Sequence, residues 1–121
     1  MRSFFRSVTS CAACSLLLLS GSNVFAQWST LQLAEYLRDP ETKALAGAYV
    51  VGVLEGATLA AQVVGKSEGG KLLGICPRSG SSVSDLVTDV GVYLLDHPEL
   101  KEMPAKASVL IAANKTHSCG N

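Results

Sequence analysis

The sequence predicts an all-α protein, a small four- to five-helix compact bundle closed by one disulfide. Three observations predict it. Apolar residues recur at helical spacing in separate segments from residue 30 to residue 115. Nowhere do they alternate as in a half-buried strand, and no segment repeats another. A single pair of cysteines remains once an export signal is taken away.

Residues 1–26 read as that signal. Arg2 and Arg6 give it a basic start, Cys11 to Leu19 an apolar middle, and Ser20 to Ala26 a polar close of mostly small residues. Val24 and Ala26 meet the small-residue requirement of signal peptidase, which places the cut before Gln27. An apolar run of about ten residues is too short to span a bilayer. Val8 to Cys11 looks like a lipid-attachment site, but the apolar run follows that cysteine where it should precede it. Cleavage sends residues 27–121 to the periplasm as a single domain of 95 residues, too short for a second core.

Cys11 and Cys14 leave with the signal. Cys76 and Cys119 are then the only cysteines in an oxidising compartment, where pairing is the default. They lie 43 residues apart, and closing a loop of that size stabilises a fold by about 4 kcal/mol. The processed chain carries eight basic and ten acidic residues and no Lys/Arg cluster. Nucleic acid is thereby excluded as a partner, since phosphate contacts need a basic face.

Ser29 and Gln32 have capping-box spacing ahead of Leu31, Leu33, Ala34 and Leu37, so a first helix runs from Thr30 to Arg38. Asp39-Pro40 opens a second, because Asp caps free amides and Pro fits a first turn. From Pro40 to Val64 the chain is apolar except for a few residues such as Glu55, Thr58 and Gln62. It is long enough to span a membrane, but Glu55 near its middle argues against a stable span. Its many small residues, with Gly52 and Gly56 on one face, predict the buried central helix of the domain.

Gly65 to Ser82 is a Gly- and Ser-rich loop carrying Cys76-Pro77. Ser82 and Asp85 cap the next helix, with Val83, Leu86, Val87, Val90, Tyr93 and Leu94 at helical spacing. It stops at His97 because Pro98 disfavours a helical residue before it. A turn through Glu99 to Lys101 leads to Pro104, which starts a last helix to Lys115, with Cys119 just beyond.

Four motifs invite a catalytic reading, and each fails on chemistry. Gly65-Lys66-Ser67-Glu68-Gly69 spells a hydrolase string, but follows a helix where the nucleophile needs a strand-to-helix turn. Gly65 with Gly70-Lys71 nearly spells a phosphate loop, yet Leu72 stands where Ser or Thr must hold magnesium. His97 beside Asp96, and His117 near the end, read as surface residues at a helix end and a tail. Cys76 is a nucleophile only if unpaired. The expectation is no enzyme, with no catalytic residue, cofactor or metal ligand.

Ala48 to Val53, Cys76-Pro77, Leu86 to Leu94, His97-Pro98-Glu99-Leu100, Met103-Pro104-Ala105 and Cys119 occur in that order. Together they resemble the Rap/Tai family, periplasmic immunity proteins against type VI secreted cell-wall amidases. The likeness covers most of residues 45–119. It implies a helical, disulfide-bridged homodimer that binds a cognate amidase effector and plugs its active-site groove. The segment between the second and third helices is then the candidate partner-binding loop, with Lys71, Arg78 and Ser79 as polar contacts. Two readings of other classes stand beside this one, an HdeA-like periplasmic acid-stress chaperone and an envelope interaction protein of unrelated role.

Overall fold

Ser29 accepts a hydrogen bond from the Gln32 amide while the Gln32 side chain accepts from the Ser29 amide, and this capping box starts the first helix of a computed structural model. The structure describes residues 27–65, 71 and 73–120, so the signal segment lies outside it. Four α-helices are described: α1, Thr30–Arg38; α2, Lys43–Gly65; α3, Val83–Asp96; and α4, Ala105–Thr116, with a 3₁₀ turn at Pro98–Leu100. The expected all-α bundle is what forms, and Cys76 and Cys119 are joined.

The local signals act as their chemistry requires. Ser82 and Asp85 form the second capping box, at 3.1 Å from the Asp85 amide to Ser82 Oγ and 2.7 Å in return. The α3 helix ends at Asp96, one residue before His97-Pro98. The second helix starts at Lys43, later than Pro40, because residues 40–42 form a turn in which the Asp39 carbonyl accepts the Thr42 and Lys43 amides.

The chain start lies along the turn into α4. Thr30 N–H donates to the Met103 carbonyl at 3.0 Å and Ala105 N–H donates to the Trp28 carbonyl at 2.8 Å, so the first amide of α4 is satisfied by the segment ahead of α1. Trp28 meets Tyr36 edge to face and lies tilted against Tyr49, at centroid distances of 5.1 and 4.8 Å, which ties that segment to α1 and α2. Burial pushes the Tyr49 hydroxyl pKa up.

The expectation that α2 is the buried central helix is corrected. That place belongs to α4, whose Ala105, Ser108, Val109, Ala112 and Ala113 are all buried among Leu33, Val50, Val90 and Leu94. Only Ala46, Val50, Leu54 and Ala61 of α2 are buried. Leu59 is 61% exposed and Val64 84% exposed. By length and composition α2 could cross a membrane, with mean hydropathy 1.6 over its most apolar stretch. The reason is position more than side-chain size: α1, α2 and α3 all pack on α4, whereas α2, equally rich in small residues, buries a single stripe.

Candidate binding loop

The segment from Leu73 to Ser82 is held at its base from four directions. The Cys76–Cys119 bond joins it to the chain end across a Cα separation of 4.8 Å. Cys76 N–H donates to the His117 carbonyl at 2.7 Å and Cys119 N–H to the Gly74 carbonyl at 3.2 Å, around an antiparallel pairing of Ile75 with Ser118. Ile75 is buried in the core. From α4, Asn114 Nδ2 donates to the Leu73 and Gly74 carbonyls at 3.1 and 3.2 Å.

Beyond that base the chain turns sharply. The Arg78 carbonyl accepts both the Ser81 amide, at 3.0 Å, and the Ser81 hydroxyl, at 2.7 Å. Gly80, third in this turn, takes φ +83°, a left-handed value that favours glycine. Arg78 and Ser79 therefore stand exposed on the tip, side by side. Lys71, expected in the loop, is instead helical; it is exposed, and its carbonyl accepts the Gly74 amide at 3.1 Å. Of the hydrolase-like string, residues 66–69 lie outside the described residues, as do Gly70 and Leu72 of the phosphate-loop string.

His117 departs from expectation: it is 2% exposed and no surface residue, whereas His97 caps the end of α3 and is partly exposed, as expected. His117 Nε2 lies 3.0 Å from Asp89 Oδ2, close but not aligned as a hydrogen bond, and neither ring nitrogen makes one among the described residues. The tail folds inward because the His117 carbonyl is committed to Cys76, which draws the imidazole against α3. His97 stacks on Tyr93 at 4.0 Å, and its Nδ1 meets Glu99 at 2.6 Å rather than Asp96.

No group of three or more His, Cys, Asp or Glu side chains gathers among the described residues. What the loop offers chemically is a stiff, polar, small-residue projection. Sequence reasoning placed Arg78 and Ser79 on a loop and paired the two cysteines, but did not single out Asn114, one polar residue among several on α4. Comparisons with protein-family models, with curated proteins and with solved structures found no match.

Proposed function

We propose that this chain is a periplasmic immunity protein of the Rap/Tai kind. It is not itself an enzyme, and it binds a type VI secreted peptidoglycan amidase and occludes its active site. One observation carries the reading: the exposed turn at Arg78 and Ser79 rests on a base fixed by the disulfide, two backbone hydrogen bonds and the Asn114 amide. A projection already ordered before binding loses little conformational entropy when it enters a cleft, so more of its contact energy appears as affinity. Ser79 and Gly80 keep the tip narrow enough for an active-site groove. The signal-like start supplies the compartment, and dimerisation belongs to the same proposal.

The test reads the genes beside this one for a cell-wall amidase, whose absence counts against the proposal, then mixes any such enzyme with the purified processed protein and follows peptidoglycan hydrolysis. Hydrolysis stops at one equivalent if the proposal holds. Arg78→Glu weakens inhibition by about thirtyfold, the size of a contact-centre substitution, with unchanged helicity. An unchanged hydrolysis rate at stoichiometric excess rejects the immunity role.

A further inference from the structure

Where α1 passes over to α2, residues of both helices and of α3 line an open groove of about 120 Å³. At Gly91, a buried position with no side chain, Leu37 of α1 closes on α3; a Cβ there would sit 3.5 Å from Leu37 Cδ1. Leu37, Val87, Val92 and Leu95 line the floor. Two of these floor residues are open to solvent, Val92 at 54% and Leu95 at 44%. Arg38 and Lys43 line the same groove, and no carboxylate does. Neither cation makes an ion pair among the described residues. In a processed chain whose balance is acidic, this is a local site of positive charge over apolar surface.

We propose that the groove receives the C-terminal residue of a partner protein, its apolar side chain on the floor and its free α-carboxylate against Arg38 and Lys43. Size and charge together select this occupant. A cavity of about 150 Å³ accepts a benzene ring, so the groove holds about one aliphatic side chain and is too small for a helix face. The apolar group and the anion must therefore come from the same residue. A terminal residue carries both on one Cα, and a carboxylate facing two cations makes charge-assisted hydrogen bonds. The inference does not rest on the immunity reading, because Arg78 and Ser79 play no part in it.

The experiment titrates the ¹⁵N-labelled processed protein with acetyl-Gly-Ala-Leu bearing a free carboxylate, with the same peptide amidated, and with octanoate. The amide signals of Thr88, Gly91 and Val92 shift and saturate with the free acid, while the amidated peptide and octanoate each bind at least about tenfold more weakly. Arg38→Glu with Lys43→Glu weakens the free acid by about tenfold or more. Both positions are exposed, so circular dichroism stays unchanged. Thr88→Phe, which fills the groove from α3, removes the shifts. Equal binding of acid and amide overturns the proposal, as does an octanoate affinity matching the peptide's, which would make the ligand a fatty acid. Absence of any shift at millimolar free acid also overturns it.

Discussion

Asn114 and Gly74 are fitted to each other: the Asn114 carboxamide donates to the Gly74 carbonyl at 3.2 Å, and its nitrogen lies 2.6 Å from where a Cβ on Gly74 would be. Gly74 also holds φ +69°, a value that costs residues with a side chain about 1–2 kcal/mol. The loop base thus depends on the absence of one methyl group.

Gly74→Ala is expected to destabilise the fold by about 2–4 kcal/mol, from the left-handed backbone and the displaced amide together. Asn114→Ala alone costs about 1–3 kcal/mol, since the Leu73 and Gly74 carbonyls lose their donor. In the double variant the clash is gone and only the backbone penalty adds to the lost donor, so the two costs are less than additive. Urea midpoints of the four proteins check this; strict additivity would show that the two side chains do not meet in solution.

A second buried contact lies where the chain start meets α4. Thr30 Oγ1 is 2.9 Å from the Met103 carbonyl and 2.8 Å from Ser108 Oγ, and Ser108 Oγ donates to the Ala105 carbonyl at 2.9 Å. Thr30→Val keeps the shape, the Thr30 amide bond to Met103 and the Ser108 bond to Ala105, but removes the buried hydroxyl's own hydrogen bonds, a loss of about 1 kcal/mol. Ser108→Ala leaves Thr30 still bonded to Met103 and costs less. Thermal melts that rank the two variants in the opposite order would contradict the network.

Acid sensitivity has a defined source at the start of α3. The Asp85 carboxylate accepts the Ser82 amide at 2.7 Å and the Ser82 hydroxyl at 2.8 Å, and these bonds hold its pKa below the usual carboxylate range. Glu99 is lowered likewise, first by its hydrogen bond to His97. A carboxyl depressed in the folded state adds stability that is complete above its unfolded value and fades as pH drops through its folded value. Unfolding midpoints are therefore expected to decline below about pH 4, and Asp85→Asn makes that decline shallower. An Asp85 carboxyl that titrates by NMR at or above 3.8, the ordinary value, would contradict the capping assignment.

The features legible in the sequence are those set by neighbours a few residues away. Ser29 with Gln32 and Ser82 with Asp85 announce their helix starts because a capping box spans only four residues. Pro98 announces the end of α3 by a steric rule acting on His97 alone. The bridge was legible because only two cysteines remained to pair. The central helix was not, since small residues that allow close approach occur in both α2 and α4, and nothing local shows which of the two the other helices surround. Likewise, nothing local to His117 reveals that its carbonyl pairs with Cys76, or that its ring lies against Asp89. In the loop ahead of α3, the exposure of Arg78 and Ser79 was readable, but the grip of Asn114 from about forty residues away was not.

Gly52 and Gly56 decide what the open side of α2 does. Among the described residues, a Cβ at either position would meet nothing within 4 Å, so the face they were expected to lend to a neighbouring helix is unoccupied there. Alanine is favoured over glycine inside a helix by about 0.5–1 kcal/mol per site. The variant carrying Gly52→Ala and Gly56→Ala is therefore expected to melt at a higher temperature, with a gain of about 1–2 kcal/mol. Its sedimentation-equilibrium mass should equal that of the unaltered protein. A smaller mass for the variant would place this face in a subunit contact, because two added methyl groups would hold the helices of two copies apart. A lower melting temperature with unchanged mass would mean that another part of the same chain packs here, contrary to the open face described for α2.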